Sequence, residues 1–410
     1  MTINADLAAE TLKGVAIKTP LQIHKKLSEK FQATIYLKRE DLQVVRSYKI
    51  RGAYNLIQSL NEEQRKRGVV CASAGNHAQG VAFSCKLLNI QGTIYMPAIT
   101  PKQKINQVKM FGNGLVDIVL TGDTFDECQA HALAFCNEKN KVFIPPFDHL
   151  KVIEGQATVG KEIIDELKNI DFLFVPNGGG GLTAGVGSYF KSHSPATKII
   201  GVEPEGAPSM KEALKAGKPV TLEKIQRFVD GASVKKVGDI TFSICKDILD
   251  DMLLVPEGKV STTILQLYNE DAIVAEPAGA LTIASLDQYA DKIKGKTVVC
   301  VLSGGNNDID RMQEIKERSL LYEGLKHYFI VRFAQRPGAL KEFVNSILGP
   351  GDDIVRFEFI QKNNKETGPA LIGIEVKSRE DYRSLISRMD EYHLNYTEIN
   401  QNENLFEYLV

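Results

Sequence analysis

Lys49 is the first candidate for chemistry in this sequence. It lies in residues 47–53 (SYKIRGA), which follow the charged, strand-like run 36–41. A lysine with small or polar neighbours, placed where a strand gives way to a helix, can be held neutral and can attack a carbonyl to form a Schiff base. Most lysines are solvated surface groups, so this prediction depends on the other motifs of the chain.

Three glycine-rich turns are the motifs that support Lys49, and each follows an apolar, strand-like run. They are residues 73–80 (SAGNHAQG), 178–181 (GGGG) and 303–308 (SGGNND). Parallel strands place their carboxyl ends at one edge of a sheet. Turns that follow such strands can therefore converge on one bound cofactor.

The run Gly178, Gly179, Gly180, Gly181 and the following Leu182 lie between an apolar strand and a helix. Consecutive glycines let several backbone N–H groups face one anion, and the helix adds the positive end of its dipole. A phosphate is therefore the predicted ligand, and a flexible or tightly packed turn is the alternative. The spacing fits neither the GxxxxGK[ST] nucleotide loop nor the GxGxxG dinucleotide fingerprint.

The other two turns supply polar side chains. In the first, backbone N–H groups and the Ser73 hydroxyl could receive a carboxylate, and the Asn76 amide could donate to a phenolic oxygen. In the last, the Ser303 hydroxyl could meet a ring nitrogen, although an ordinary turn or helix-cap serine is the alternative. His77, taken alone, is more often a structural histidine than a catalytic one.

The composition is that of an ordinary soluble globular protein. The chain has 410 residues, of which 43% are hydrophobic and 25% charged, and its formal net charge is -1. This length allows two or three domains. Cations and anions are mixed along the chain, so neither a nucleic-acid partner nor a membrane partner is expected. We expect small-molecule partners and a homo-oligomer, either a dimer or a tetramer.

No targeting or membrane segment is visible in the sequence. The first residues (MTINADLAAETLKGV) lack the basic region and apolar core of a secretion signal, and no stretch approaches the roughly 20 apolar residues of a membrane span. A cytoplasmic location is the prediction. The six cysteines lie in apolar contexts without CxxC or Cys/His ligand spacing, which favours reduced core thiols over disulfides or zinc.

Short β-branched runs alternate with amphipathic segments from residue 34 onward. This alternation predicts an α/β fold with parallel-rich sheets covered by helices. The predicted strands are residues 34–37, 69–72, 93–96, 117–120, 172–175, 199–202, 252–255 and 297–302. The predicted helices include residues 78–88, 125–138, 157–167 and 261–268.

A highly charged helical segment, residues 311–326, marks the predicted domain boundary. The pattern beyond it is βαββαβ, the arrangement of a ferredoxin-like unit. Its predicted elements are strand 328–333, helix 339–348, strands 354–360 and 370–376 joined by the polar turn 362–368, helix 379–393, and a short extended stretch near Tyr396.

Five motifs together make the sequence similar to a known family. They are SYKIRGA, SAGNHAQG, GGGGL, EPAGA at residues 276–280, and SGGNND. The chain resembles the pyridoxal-phosphate-dependent threonine dehydratases over essentially its whole length. That resemblance implies a two-lobed tryptophan-synthase-β-like catalytic domain (fold type II) over residues 1–310, a linker helix over 311–326, and one ACT-like regulatory domain over 327–410.

The resemblance also implies roles for the motif residues. Lys49 forms the internal aldimine with pyridoxal 5'-phosphate, and Asn76 contacts the cofactor ring oxygen. Gly178 to Leu182 cradle the phosphate, and Ser303 hydrogen-bonds the pyridine nitrogen. The residues expected to bind the substrate are Ser73, Ala74, Gly75 and His77.

The residue types at these positions suit β-elimination. A serine does not protonate the pyridine nitrogen as a carboxylate would, so the ring is a weaker electron sink and long-lived carbanions are disfavoured. The freed Lys49 amine can take the Cα proton, and the cofactor phosphate is the family's usual acid for the departing hydroxyl. The expected enzyme is a lyase that converts L-threonine to 2-oxobutanoate and ammonia, the first step of isoleucine biosynthesis, with L-serine as a slower substrate.

Two positions depart from related enzymes. Some dehydratases and serine racemases bind a divalent cation through a glutamate and a nearby aspartate; here Glu203 is present, but Ser209 stands where the aspartate is expected, so no metal is predicted. In the racemases a second serine follows the first serine of the asparagine loop. Here that residue is Ala74, which favours elimination over racemisation.

The C-terminal unit is expected to bind a branched-chain amino acid, isoleucine or valine, and to regulate activity. The turn at residues 335–340 (QRPGAL) exposes backbone groups at a helix start that can take a carboxylate, and an ordinary helix start is the alternative reading. Two alternative functions stay open at this point. One is a serine racemase/dehydratase of the same fold, and the other is a catalytically idle amino-acid-sensing binding protein.

Overall fold

The computed structural model describes residues 3–362 and 365–410. The chain divides into two compact units, the first ending at Ile309 and the second beginning at Asp310. Within the described residues, no helix is both long enough and apolar enough to span a lipid bilayer.

In the first unit, the structure contains every predicted strand, and each observed end lies within two residues of the predicted end. The strands of the described residues are β1 (Leu21–Ile23), β2 (Thr34–Arg39), β3 (Val69–Ala72), β4 (Gly92–Met96), β5 (Val116–Leu120), β6 (Val142–Phe143), β7 (Phe172–Pro176), β8 (Lys198–Pro204), β9 (Asp251–Val255), β10 (Thr297–Leu302), β11 (Lys326–Ala334), β12 (Asp353–Phe359), β13 (Thr367–Glu375) and β14 (Asn395–Glu398). The sequence prediction missed β1 and β6, which are too short to show an apolar period.

The helices of the first unit cover both sheets described below. They are α1 (Ala5–Thr11), α2 (Lys25–Phe31), α3 (Lys49–Gln58), α4 (Glu62–Arg67), α5 (Asn76–Leu88), α6 (Lys102–Gly112), α7 (Phe125–Glu138), α8 (Leu150–Glu166), α9 (Gly181–His193), α10 (Ser209–Ala216), α11 (Asp239–Ile248), α12 (Glu257–Asp271), α13 (Pro277–Ala284) and α14 (Ala290–Ile293). In the second unit they are α15 (Met312–Glu323), α16 (Ala339–Ser346), α17 (Arg379–Glu391) and α18 (Glu403–Leu409).

Helix α8 begins seven residues before its predicted start, and Gly155 explains the difference. A glycine in the middle of a run lowers helix propensity, so the sequence pattern looked non-helical there. In the structure Gly155 lies against α3, where an added Cβ would come within 2.5 Å of the Arg51 carbonyl oxygen. The glycine therefore allows two helices to approach closely.

The larger sheet has the strand order β1-β2-β10-β7-β8-β9. Only β1 runs antiparallel to its neighbour, and the other pairs are parallel. The carboxyl ends of β2, β7 and β10 therefore lie at one edge of the sheet. The Lys49 segment, the glycine run and the Ser303 turn leave from that edge, as the sequence predicted.

The smaller sheet has the strand order β5-β4-β3-β6 and is parallel throughout. Its central strand β3 is buried along its whole length, as expected for a parallel strand covered by helices on both faces. The asparagine loop with Ser73 and Asn76 leaves the carboxyl end of β3. Two parallel-rich sheets in the first unit confirm the predicted fold class.

The second unit contains an antiparallel sheet with the order β12-β13-β11-β14. Its helices α16 and α17 pack on a buried core that includes Phe329, Phe343 and Leu385. This is the predicted βαββαβ ferredoxin-like arrangement. The C-terminal helix α18 was not predicted. Of the predicted turn at 362–368, Asn363 and Asn364 lie outside the described residues.

Candidate active site

Lys49 is the first residue of α3. The segment before it is fixed by an isolated β-bridge between Ser47 and Gly304. The Nζ atom of Lys49 donates a hydrogen bond to the carbonyl oxygen of Pro146 at 2.8 Å. Burial lowers the pKa of Lys49 to about 8, although the charge of Glu276 opposes the shift. The free amine is therefore far more abundant at neutral pH than on an ordinary lysine.

A buried ionic cluster fixes α3 behind Lys49. The guanidinium of Arg51 donates to the two carboxyl oxygens of Glu40, at 2.8 Å each, and to those of Glu162, at 2.6 and 2.9 Å. The Nζ atom of Lys38 donates to the same Glu162 at 2.6 Å. Two cations and two carboxylates thus balance one another, and they join α3 to the end of β2 and to α8.

The glycine run is packed too closely for side chains. An added Cβ would lie 2.3 Å from the Phe147 ring at Gly179 and 2.9 Å from Phe147 at Gly181. Gly180 has a φ of 93°, in the left-handed region that favours glycine. The run can therefore follow this path only because it consists of glycines.

The backbone N–H groups of this run face no protein acceptor. Within residues 3–362 and 365–410, none of the six N–H groups from Gly178 to Thr183 donates a hydrogen bond. Five of these six residues are buried, and buried donors are costly unless they find a partner. The set of donors, at the N-terminus of the 13-residue helix α9, has the chemistry that a bound phosphate requires.

A chain of amide hydrogen bonds fixes the side chain of Asn76. Its Nδ2 donates to Oε1 of Glu276 at 2.6 Å, and its Oδ1 accepts from Nδ2 of Asn306 at 2.7 Å. Asn306 also donates to the carbonyl oxygen of Val45 at 2.9 Å. Burial, with a smaller contribution from Asp230, raises the pKa of Glu276 to about 7. The second Nδ2 proton of Asn76 is left to donate to a ligand.

The asparagine loop places its remaining predicted residues in two different settings. The Ser73 hydroxyl accepts a hydrogen bond from the N–H of Gly75 at 3.2 Å, and Ala74 lies beside them, partly exposed. The ring of His77 is buried and hydrogen-bonded through Nε2 to the carbonyl oxygen of Ile144 at 2.8 Å. Burial, aided by the charge of Lys49, lowers the pKa of His77 to about 3, so the ring is neutral.

One cavity is lined by residues from all five motifs, and it brings together four of the predicted site residues: Lys49, Asn76, Gly178 and Ser303. Ser303 is almost completely buried there, and its carbonyl oxygen accepts from the N–H of Tyr48 at 3.2 Å. The cavity lining does not include Ser73, Ala74, Gly75 or His77, and of the predicted phosphate-binding residues Gly178 to Leu182 it includes Gly178 alone. The other lining residues are Tyr48, Pro176, Gly231, Ala232, Glu276 and Ala278.

Glu276 is the main residue of the cavity that sequence reasoning did not single out. The EPAGA motif was noted, but no role was assigned to its carboxylate. One signal was available in the sequence, because Glu276 is the one acidic residue in the otherwise apolar run 272–284. A charged side chain in such a run is buried, and a buried carboxylate requires partners.

The Glu203 carboxylate is occupied by donors from the protein itself. It accepts from the N–H groups of Met210 at 2.7 Å and Lys211 at 3.0 Å, from the Ser209 hydroxyl at 3.2 Å, and from the Asn177 amide at 3.2 Å. Burial raises its pKa to about 7. In the described part of the chain, no group of three or more His, Cys, Asp or Glu side chains is arranged to hold a metal ion.

These features define the chain as a pyridoxal-phosphate-dependent enzyme. Residues 12–304 match the pyridoxal-phosphate-dependent enzyme family, and residues 317–409 match the C-terminal regulatory domain of threonine dehydratase. The residues present fit that cofactor, because the cavity pairs a lysine of lowered pKa with Gly178, the first residue of a run whose N–H groups donate no hydrogen bond within the described residues. More narrowly, the chain belongs to the family of biosynthetic L-threonine dehydratases.

Full-length relatives and a solved structure place it in that family. The biosynthetic L-threonine dehydratase of Halalkalibacterium halodurans is 60% identical over 405 residues, which is 98% of each chain. That of Bacillus subtilis is 58% identical over 98% of this chain and 96% of the relative. The processed form of threonine deaminase isoform 2 from Solanum lycopersicum superposes with a TM-score of 0.73 at 42% identity, covering 77% of this chain and 93% of that one.

Proposed function

We propose that this chain is an L-threonine ammonia-lyase that eliminates water from L-threonine and releases 2-oxobutanoate and ammonia. The observation that carries the proposal is a cavity lined by both Lys49 and Gly178, the first residue of the glycine run with its unpaired amides. When bound there, pyridoxal phosphate supplies the electron sink that acidifies the Cα proton of the amino acid. The residues of the chain then bind, orient and deprotonate the substrate.

Four groups of residues hold the cofactor in this proposal. Lys49 binds it covalently, and the free Nδ2 proton of Asn76 donates to the ring oxygen. The amides of Gly178, Gly179, Gly180, Gly181 and Leu182 bind the phosphate. The Ser303 hydroxyl would hydrogen-bond the ring nitrogen without transferring a proton to it.

The asparagine loop is the proposed carboxylate site of the substrate. The Ser73 hydroxyl and the Ala74 N–H lie at the N-terminus of α5, where an anion is favoured. The N–H groups of Ser73 and Gly75 shape the loop instead, because they donate to the Tyr95 carbonyl oxygen and to the Ser73 hydroxyl. The neutral His77 contributes by fixing the loop to the carbonyl of Ile144. The Lys49 amine would take the Cα proton, a role for which its pKa of about 8 is suited.

The second unit is the proposed regulatory domain, with isoleucine or valine as its effector. In this division residues 1–310 are catalytic, 311–326 form the linker and 327–410 regulate. The turn before α16 supports an effector site there, because Gly338 begins the helix with a φ of 85° and has open space around it. We also propose a cytoplasmic homo-oligomer, a dimer or tetramer, that catalyses the first step of isoleucine biosynthesis.

The experiment that tests the catalytic proposal is a substrate panel with the purified holoenzyme. L-threonine, L-serine, D-threonine and D-serine are supplied separately, and 2-oxo acid release and chirality are measured. The expected order is L-threonine faster than L-serine, with no turnover of either D-isomer. Release of D-serine from L-serine as the main reaction would indicate a racemase, and no reaction with any of the four would indicate an amino-acid-binding protein.

A further inference from the structure

Helix α11 contacts the backbone carbonyl groups of the glycine run. The carbonyl oxygen of Gly179 accepts two hydrogen bonds, one from the Thr241 hydroxyl at 2.6 Å and one from the N–H of Gly238 at 3.3 Å. The next carbonyl, that of Gly180, lies 3.8 Å from Sγ of Cys245 on the same helix. The side of the run that bears these two carbonyls is therefore fixed by α11.

The carbonyls of the run determine where its N–H groups point. In a planar trans peptide unit the C=O and the N–H point in opposite directions. The carbonyl of Gly179 and the N–H of Gly180 belong to one such unit. When Thr241 holds the carbonyl against α11, the N–H of Gly180 is turned away from α11 and stays available to an anion.

Glycines cannot supply this order themselves. A run of glycines has more backbone freedom than any other sequence and no side chain to restrict it. If nothing restrains the peptide units of the glycine run, the amides that would bind the phosphate sample many orientations. Ordering these amides then reduces the free energy of cofactor binding. A fixed hydroxyl that is hydrogen-bonded to a carbonyl of the run reduces this ordering cost.

Thr241 is itself rigidly placed. Its side chain is completely buried. The N-terminus of α11 is capped by the Asp148 carboxylate, which accepts from the N–H groups of Asp239 at 3.0 Å, Ile240 at 2.9 Å and Thr241 at 3.1 Å. The hydroxyl therefore acts from a helix that is anchored independently of the cofactor.

We propose that Thr241 is a positioning residue for the cofactor phosphate, acting through the Gly179 carbonyl to aim the amide of Gly180. The hydroxyl lies within hydrogen-bond distance of two backbone carbonyl oxygens, those of Gly179 at 2.6 Å and Gly238 at 3.2 Å, and Thr241 does not line the cavity. The proposal rests on the phosphate site proposed above, and it adds a residue that lies 62 positions after Gly179 in the chain.

The test is cofactor affinity, measured by absorbance titration of the apoenzyme with pyridoxal phosphate and, separately, with pyridoxal. Thr241→Val removes the hydroxyl while keeping the shape, and the expected result is about tenfold weaker binding of pyridoxal phosphate, the effect of one lost hydrogen bond. Pyridoxal has no phosphate, so its affinity is expected to stay unchanged. Thr241→Ser retains the hydroxyl and is expected to bind pyridoxal phosphate as the native chain does.

Thr197→Val is the matched control. Thr197 is also completely buried, and its hydroxyl donates to the carbonyl oxygen of Ile170 at 2.7 Å, away from the glycine run. It is expected to lower thermal stability without changing cofactor affinity. If Thr241→Val does not fold, Thr241→Ala, which removes the same hydroxyl without adding bulk, replaces it in the titration.

Three results would overturn the role of Thr241. They are native affinity of the Thr241→Val variant for pyridoxal phosphate, equal weakening for pyridoxal phosphate and pyridoxal, and an equal loss in Thr197→Val. A parallel titration of Gly179→Asp and Gly179→Asn, which have the same shape and differ in charge, separates this failure from failure of the phosphate site. If Gly179→Asp binds pyridoxal phosphate more weakly than Gly179→Asn and Thr241→Val binds it normally, the site stands without Thr241; if Gly179→Asp and Gly179→Asn bind it equally, the phosphate site itself is wrong.

Discussion

At the scale of single residues, the cavity contains two titratable groups with pKa values near neutrality, Lys49 and Glu276. Burial lowers the pKa of Lys49 to about 8 and raises that of Glu276 to about 7. Each shift has the same origin, because a charged form loses hydration in the closed cavity. The Glu276 carboxylate also limits the shift on Lys49, since its negative charge favours the ammonium form.

The shifted pKa of Lys49 predicts how cofactor capture by the apoenzyme depends on pH. Only the neutral amine attacks the aldehyde, so the rate of capture is expected to rise by about tenfold per pH unit below pH 8 and to level off above it. Stopped-flow absorbance across pH 6–10 measures this rate. Glu276→Gln removes the negative charge that raises the pKa of Lys49, so its rate is expected to level off at lower pH. A rate that still rises at pH 10 would show an ordinary lysine.

At the scale of elements, the start of α3 depends on a cluster that takes no part in the chemistry. Arg51 is buried between Glu40 and Glu162, only two residues after Lys49. Breaking a buried ion pair leaves an unpaired buried charge, which costs more than the pair contributes. A substitution in this cluster is therefore expected to destabilise the fold around the start of α3.

Arg51→Met is expected to lower the free energy of unfolding by about 3–5 kcal/mol, because two carboxylates lose their main partner in the interior. Denaturant unfolding of the apoenzyme measures the change. Lys66→Met is the matched control, since Lys66 forms an exposed i,i+4 pair with Glu62 and such pairs contribute little. Equal stability of Arg51→Met and the native chain would show that the cluster is not needed to hold α3.

The glycine run before α9 makes a second prediction at this scale. Any side chain at Gly179 collides with the Phe147 ring, so a single substitution would mix steric and electrostatic effects. Gly179→Asp and Gly179→Asn have the same shape and differ in charge. The aspartate is expected to weaken pyridoxal phosphate binding at least about tenfold more than the asparagine, through repulsion of the phosphate. Equal affinities in equilibrium titration would argue against a phosphate at this position.

At the scale of the whole molecule, much of the architecture follows from the sequence pattern. Strands buried on both faces read as continuous apolar runs, which is why β3 and β10 were predicted with their observed bounds. The edge strands β1 and β6 were missed because two or three residues show no period. The helix α18 was missed because its seven residues span only two turns, although Leu405, Phe406 and Leu409 pack against a buried cluster. Short elements are determined by their neighbours rather than by their own residues.

The candidate site was predictable wherever backbone shape or a reactive side chain required a particular residue. Gly178 and Ser303 follow the carboxyl ends of β7 and β10, which pair in parallel in the larger sheet. Asn76 follows β3 of the smaller sheet, and Lys49 lies at the start of α3. Glu276 and Thr241 could not be found in this way. They act through hydrogen bonds to Asn76 and to the glycine run, and the sequence gives no sign of which distant residues will meet.

The division at Ile309 predicts that catalysis and regulation can be separated. A chain ending at Ile309 keeps every residue of the cavity and is expected to form 2-oxobutanoate without responding to isoleucine. The full-length chain with Gly338→Asp or Gly338→Asn provides the matched pair. Both residues tolerate a positive φ, and only the aspartate repels the carboxylate of the effector. An unchanged isoleucine response in the truncated chain would place the effector site in the first unit.

The most direct single measurement is to identify the lysine that carries the cofactor. The holoenzyme is reduced with borohydride, which makes the attachment permanent, and its peptides are analysed by mass spectrometry. The expected result is a phosphopyridoxyl group on the peptide containing Lys49, and no label at that position in a Lys49→Ala variant that still folds. A label on a different lysine of the native chain would contradict the assignment of this cavity as the active site.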